Sequence, residues 1–413
     1  MTNNSPSQII DGNTRVAPLT VPEQVPTGIC WAQIGARSRS VALVDRYAYV
    51  VNGTSNTLQV FDLSTPSSPV LIGSVSGGNN LVSIAVAGRY AYVASYGANK
   101  LQIFDVSTPS SPVSVGSVST SSGPLSIAVA GRYAYVVNAS ASTLQVFDVS
   151  TPSAPVLIGT VGTGGSPWSV AVAGRYAYVV NEGSSTLQIF DVSTPWAPIS
   201  VSSVGTVNYP TFVAVSGRYA YVVNQGVLIG SSPYLQIIDV SKPSAPVSVG
   251  SVSTGNVNGD TSFVAVAGRY AYVLDNLADS LQIFDVSKPS SPSNVSSVGT
   301  GIYWWAGPTS MAVSGRYGYV VNQSIPFTFV VFDMGGSYLQ QLEAGAMETG
   351  TLQTRDTVTV GKDLNVRGDL TIGGSAQIAG GLSVNNILGG ITTNILIDGH
   401  TFYYTNGFLI NIQ

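Results

Sequence analysis

One phrase returns seven times along this chain. It reads DRYAYVV at Asp45–Val51, GRYAYV from Gly88, Gly131, Gly174, Gly217 and Gly268, and GRYGYV from Gly315. Its arginines stand 43, 43, 43, 43, 51 and 47 residues apart. A steady period in the forties, with strand-forming residues in every unit, describes a β-propeller. One unit is too small to bury both faces of its own sheet, so the units must stack in a ring.

The second unit displays the pattern most plainly. Ser83–Ala87 (SIAVA) is predicted as a strand, Gly88 and Arg89 as its turn, and Tyr90–Ala94 (YAYVA) as the next strand. After a loop over Ser95–Lys100, Leu101–Val106 (LQIFDV) and Pro112–Val118 (PVSVGSV) complete four strands. Their β-branched and aromatic residues alternate with a period of two. Tyr90 and Tyr92 therefore point to one face, Ala91 and Val93 to the other, and both faces are apolar.

The seventh unit holds Met311–Ser314, Tyr317–Asn322 and Phe329–Met334 but no fourth strand. Ile29–Gly35 (ICWAQIG) precedes the first unit without partners of its own and resembles the outer strand PVSVGSV. It is expected to complete blade seven and remove an open edge. The expected class is thus all-β: an arm at 1–27, then a seven-bladed propeller over 28–334 closed by its N-terminal strand. A linker with a short helix (335–350), a hexad-repeat stalk (351–386) and a small β-meander cap (387–413) are expected to follow.

The phrase LQIFDVSTPSSPVSVGS is similar to the LVIVD-repeat propellers. It recurs at Leu58–Val70, Leu101–Val113, Leu144–Val156, Leu187–Ile199, Leu235–Val247 and Leu281–Ser293, so the resemblance spans residues 29–334. It implies the fold and little about activity, because propellers host many functions.

Composition narrows the classes. Of 413 residues, 44% are hydrophobic and only 9% charged, with 45 glycines and 22 prolines, which suits many short strands and tight turns. A net charge of −4 without a basic cluster argues against nucleic-acid binding. Cys30 is the sole cysteine, so an intrachain disulfide is excluded and a buried, inert thiol is expected. The first 27 residues lack a basic start followed by an apolar run, and no apolar stretch approaches the ~18–20 residues of a membrane span. Neither export nor membrane insertion is expected.

Two faces of the ring differ. On one, the GRY and DVSTPSSP turns repeat almost unchanged, each unit bringing one arginine (Arg46, Arg89, Arg132, Arg175, Arg218, Arg269, Arg316) and one aspartate (Asp62, Asp105, Asp148, Asp191, Asp239, Asp285, Asp333). These are expected to pair and lock turns rather than hold a ligand. On the other face the connections vary: Asn224–Pro233, Asn256–Thr261 and Gly301–Pro308 are enlarged. Trp168, Tyr209, Tyr303, Trp304 and Trp305 fall there and are candidate platforms for sugar rings or protein contacts, or else caps on the blade ends. Trp196, on the repeated face, is expected at a subunit or arm contact.

No enzymatic activity is expected. His400 is the only histidine and lies beyond the repeats, no metal-ligand cluster is visible, and no GxGxxG links a strand to a helix. No cofactor follows. Glu182, Asp275 and Asp279 on the variable face leave a carboxylate-only hydrolase open.

After Met334 the period changes. Tyr338–Met347 is predicted as the short helix, and six hexads then run through Thr351–Asn386: TLQTRD, TVTVGK, DLNVRG, DLTIGG, SAQIAG and GLSVNN. Apolar residues recur at the second and fourth places, among them Val358, Val360, Leu364, Val366, Leu370, Ile372, Ile378, Leu382 and Val384. A single-chain β-helix uses three units per turn and would have about two turns, a small core. Three chains wrapped together would instead share one continuous apolar axis. The segment resembles the trimeric β-prism stalks of phage tail fibres, which implies a homotrimer with those nine residues at its centre. Asp398-Gly399 and Asn406-Gly407 predict the turns of the terminal meander.

The expected whole is a homotrimeric virion fibre or spike of a tailed phage, assembled in the host cytoplasm. Its partners would be other virion proteins, through the arm or the cap, and a host-surface glycan or protein. A bacterial surface adhesin or filament subunit, located at the cell surface, and a capsid or tail decoration spacer are the alternatives. By light scattering, the full chain is expected to be a trimer and a truncation ending at Met334 a monomer. A monomeric full chain would remove the stalk.

Overall fold

The computed structural model describes residues 27–225, 232–255, 261–300, 307–323, 327–334, 393–397, 400–405 and 408–412. Two units divide at Leu342 and Glu343. The first is an all-β propeller of seven four-stranded antiparallel sheets. Blade one pairs Ser38–Val44, Tyr47–Asn52, Thr57–Asp62 and Val70–Ser76 in sequence order, and the next five blades repeat that order. Among the described residues there is no helix.

Blade seven is built differently. Pro308–Ser314, Tyr317–Asn322 and Thr328–Asp333 supply three strands, and Thr27–Gln33 pairs antiparallel with the last as the fourth. The expected clasp is present, two residues earlier than its predicted start, with a bulge at Ile29. Cys30 lies on it half-buried rather than enclosed; its thiol donates to the Pro66 carbonyl at 3.1 Å, and burial raises its pKa.

The ring is held by complementary blade faces. Tyr92 of blade two packs with Ala134, Val136 and Phe147 of blade three, while Ala91, Val93 and Phe104 of blade two receive Tyr49 of blade one. Tyr319 of blade seven packs on Ala48, Val50 and Phe61, which closes the circle. Phe61, Phe104, Phe147, Phe190 and Phe284 are fully buried; such side chains contribute roughly 1.5–3 kcal/mol each. Where blade seven has Gly318 in place of alanine, the Met311 and Met334 side chains occupy the space.

The repeated turns follow from residue chemistry. Gly88, Gly131, Gly174, Gly217, Gly268 and Gly315 take φ of 56 to 59°, the left-handed region that glycine enters freely. Asp45 takes 52° in blade one, which a short polar side chain tolerates. All seven expected arginine–aspartate pairs form, from Arg46–Asp62 to Arg316–Asp333. Each guanidinium also lies 5.1–5.6 Å from the centroid of the following tyrosine. The arginine hydrogen bond holds Asp105, Asp148, Asp191 and Asp239 down to about 2, helped by the serine two residues on. This face is a ring of locked turns.

Of the expected arm at 1–27, Thr27 belongs to the clasp and residues 1–26 lie outside the described residues, as do the short helix and the hexad repeat with its nine core residues (Val358, Val360, Leu364, Val366, Leu370, Ile372, Ile378, Leu382 and Val384). In the second unit, Thr393–Ile397, His400–Thr405 and Phe408–Ile412 form a three-stranded antiparallel sheet paired in sequence order.

At the outer rim the last strand of each of blades one to five meets the Pro-rich turn of the next. A Cβ on Gly116 would stand 2.1 Å from the Pro152 carbonyl oxygen. In blade four, Ser202 takes the equivalent place and donates to the Pro243 carbonyl at 2.6 Å. Gly116→Ala is therefore expected to destabilise by about 1–3 kcal/mol in denaturant titrations. Gly116→Ser should cost less, because its hydroxyl finds the same acceptor.

Candidate functional site

The innermost strands of the seven blades are Ser38–Val44, Leu81–Ala87, Pro124–Ala130, Pro167–Ala173, Pro210–Ser216, Thr261–Ala267 and Pro308–Ser314. They touch in ring order, the last meeting the first. Cross-blade hydrogen bonds reinforce the circle. The Val41 N–H donates to Ser310 Oγ at 3.2 Å, and Ile84, Ile127, Val170 and Val213 donate to Ser40, Ser83, Ser126 and Ser169 at 3.3–3.4 Å. In blades five and six phenylalanine replaces that serine, and Phe212 and Phe263 pack together with centroids 4.1 Å apart.

Every innermost strand breaks register between its first and third residues. The second residue has no partner in the ladder, and such a bulge re-aims its side chain. The bulged residues are Arg39, Val82, Leu125, Trp168, Thr211, Ser262 and Thr309. All seven line one cavity of about 650 Å³ at the mouth of the central channel. A second set joins them from the turns after the next strand: Tyr96, Ala139, Glu182, Gln225, Asn276 and Gln323. Around a repetitive frame, these are positions where the blades of one chain differ.

Connections into the innermost strands are fixed from below. The third-strand glutamine of a blade accepts from the N–H of the connection: Gln59 from Gly35 at 2.9 Å, Gln145 from Ser121 at 2.8 Å and Gln188 from Gly164 at 2.9 Å. Arg37, Asn80, Ser166 and Tyr209 then take left-handed φ of 52 to 58° just before the strand. Their carbonyls accept from Gly53, Tyr96, Glu182 and Gln225 at 2.9–3.0 Å. Non-glycine residues held in this region store strain, which is characteristic of functional loops.

Trp168 was expected in a connection and instead sits on the innermost strand of blade four, at the bulge. Its indole N–H donates to Glu182 at 2.9 Å, and Ser166 donates to the same carboxylate oxygen at 3.3 Å. Glu182 thereby orients the ring while 37% of the residue stays exposed. Tyr209 is half-buried at its strained position and does not line the cavity. Tyr303, Trp304 and Trp305 lie outside the described residues. Sequence reading missed Arg39, Phe212 and Phe263. Alignment of the seven innermost strands would have found them, since SRSVALV, PWSVAVA and PTFVAVS differ mainly at their first three places.

Among the described residues, Arg39 and Glu182 are the charged ones lining the cavity. Arg39 Nε is buried and has no hydrogen-bond partner, and no ion pair reaches the side chain among the described residues. Burial, then the nearby Arg37, pulls its pKa down. Among the described residues no group of three or more His, Cys, Asp or Glu side chains is placed to hold a metal ion.

One family profile, the LVIVD repeat, matches residues 35–76, 80–120, 125–163, 164–206, 211–254 and 258–300. The chain belongs to the LVIVD-repeat family. No curated protein sequence matches it. Among solved structures, this LVIVD-repeat propeller is similar to the β-propeller domain of Cps50 (Swd1) from Myceliophteria thermophila, with a TM-score of 0.60 and 12% identity over 75% of this chain and 99% of that one. It is also similar to the periplasmic gluconolactonase of Pseudomonas aeruginosa (0.56, 17%, 63% and 85%) and to a candidate 6-phosphogluconolactonase of Bacteroides fragilis (0.55, 15%, 74% and 89%). At such identities the likeness shows the fold alone. It nevertheless corrects the expectation that the chain is not an enzyme: ring geometry like this carries lactonases, so a missing histidine pair is no ground for excluding catalysis.

Asp275, left open as a hydrolase carboxylate, is fully buried beside the mouth. It replaces the asparagine that in other blades donates to a threonine and a glutamine, as Asn138 does to Thr143 at 3.2 Å and Gln145 at 3.1 Å. Its Oδ1 accepts from Leu277 and Ala278 at 3.1 and 2.9 Å, while Oδ2 is buried without a partner. Burial raises its pKa, and burial followed by the charge of Asp275 raises that of Asp279. A raised carboxyl contributes stability below its unfolded pKa of ~3.9, and that contribution is lost as pH climbs through the folded value. Asp275→Asn should therefore raise the melting temperature at pH 7 and lose most of the gain at pH 3, measured by thermal scans.

Proposed function

We propose that the chain is an attachment protein, a propeller knob carried on an oligomerising stalk in a homotrimeric virion fibre or spike of a tailed phage. The observation that carries this reading is the mouth itself. Seven near-identical blades project seven bulged side chains of six kinds into one cavity, with an oriented, exposed Trp168 among them. A frame that repeats while its contact residues vary is a recognition surface on a rigid scaffold. The hexad repeat at 351–386, with its resemblance to trimeric fibre stalks, supplies the oligomer. Three knobs on one axis convert weak single contacts into avidity.

In this reading the knob engages a host-surface glycan or protein, other virion proteins hold the arm or the C-terminal sheet, and assembly takes place in the host cytoplasm before release. Gold-labelled antibody against residues 28–334 is expected to decorate fibres on particles released by lysis of the producing cells. Label confined to the cell envelope would overturn the virion reading in favour of a surface adhesin.

A further inference from the structure

The attachment reading leaves the chemistry of the ligand open, and the mouth contains one group that points to it. Most charges on the described propeller are engaged: the seven turn arginines face seven aspartates, and Glu182 holds the Trp168 indole. Arg39 is different. It leaves the strand ladder at the blade-one bulge, lines the cavity, and keeps a buried Nε without an acceptor. A guanidinium donates through five N–H groups in a fixed fork and accepts nothing. A buried donor left unmade destabilises the free protein, so the site is completed by an incoming acceptor. A planar fork pairs best with a carboxylate or a similar oxyanion.

The rest of the lining sets the remainder of the ligand. Trp168, three blades away, presents an indole whose edge is tied to Glu182, leaving an aromatic surface exposed. Phe212 widens the apolar part of the wall, and Asn276, Gln225 and Gln323 add amides on the intervening blades. An apolar platform, a ring of amides and a single cation match a sugar: carbon–hydrogen faces, many hydroxyls and one negative group. A cavity of about 650 Å³ lies within the range of sites for small organic ligands.

We infer that the mouth binds a saccharide bearing one anionic group, carboxylate or sulfate, with Arg39 taking the oxyanion and Trp168 the face of a sugar ring. This rests on the attachment reading and adds the ligand class and the residue that selects it. The cation also predicts the direction of the salt effect, since an ion pair at a partly open mouth weakens as ionic strength rises.

The test is calorimetric titration of the full chain with three probes of equal length: a galactose trimer with one residue oxidised to galacturonate, a galactose trimer bearing one sulfate, and the uncharged galactose trimer. At least one charged trimer is expected to bind more tightly than the uncharged one, and which of the two does so identifies the oxyanion. Arg39→Gln should weaken that charged ligand about tenfold or more and leave the uncharged trimer unchanged. Arg39→Lys should recover only part, because it restores the charge and not the fork. Trp168→Ala should weaken all three, and thermal melts confirm that each variant folds. Equal binding of charged and uncharged trimers, no binding of any, or an Arg39→Gln protein that binds the charged trimer as before overturns the inference. Those outcomes leave the attachment reading standing if gold label still decorates the particles. Label on the cell envelope would remove that reading and leave the titration result intact.

Discussion

Every blade of this ring is apolar on both faces, and its two faces are not alike. One presents the second tyrosine of the repeated phrase, buried at Tyr49, Tyr92, Tyr135 and their equivalents; the other presents alanine, valine and phenylalanine. A flat stack would leave a tyrosine face at one end and a small-residue face at the other, both wet. Circular arrangement removes both at once, as Tyr319 meets Ala48 and Phe61. The channel, its mouth and the rim turns all inherit their positions from that pairing of unlike faces.

Because the frame is over-determined, it tolerates variation at its inner edge. The seven bulged residues are skipped in the strand register and face the cavity, so their identity is freer than that of the residues packed between blades. Arginine, tryptophan, leucine and threonine occupy the same place in different blades. The opposite face shows the reverse economy. There an arginine, a tyrosine and an aspartate are reused in each blade, and repetition marks a structural device.

Legibility tracked these two regimes. Blade number, strand order, the clasp and the arginine–aspartate pairs were readable because each is repeated or follows from the need to close the ring. Clasp boundaries shifted by two residues, since Thr27 and Gly28 extend the pairing with Asp333 and Phe332 and carry no strand signal of their own. Trp168 was recognised as unusual but assigned to a connection, because a bulge leaves no mark in local propensity. Arg39 was passed over altogether. A single arginine in an apolar strand reads as a solvated edge until the register shift between Ser38 and Ser40 turns it toward the cavity. The exclusion of enzymatic activity failed for another reason: it rested on a residue inventory, and a fold shared with lactonases is not answerable to one.

The clasp has a kinetic side. Thr27–Gln33 is among the first described segments to leave a ribosome, yet its partner Thr328–Asp333 is made some three hundred residues later. Blades one to six complete themselves from local sequence as they are made, whereas the ring stays an open arc until the final strand arrives. During that interval the earliest strand is an unpaired edge, available to any neighbouring chain with a three-stranded seventh blade. Crowded synthesis of several copies on one message therefore favours exchange of this strand between molecules, and a domain-swapped oligomer joined at blade seven is the misassembly to which this topology is most exposed.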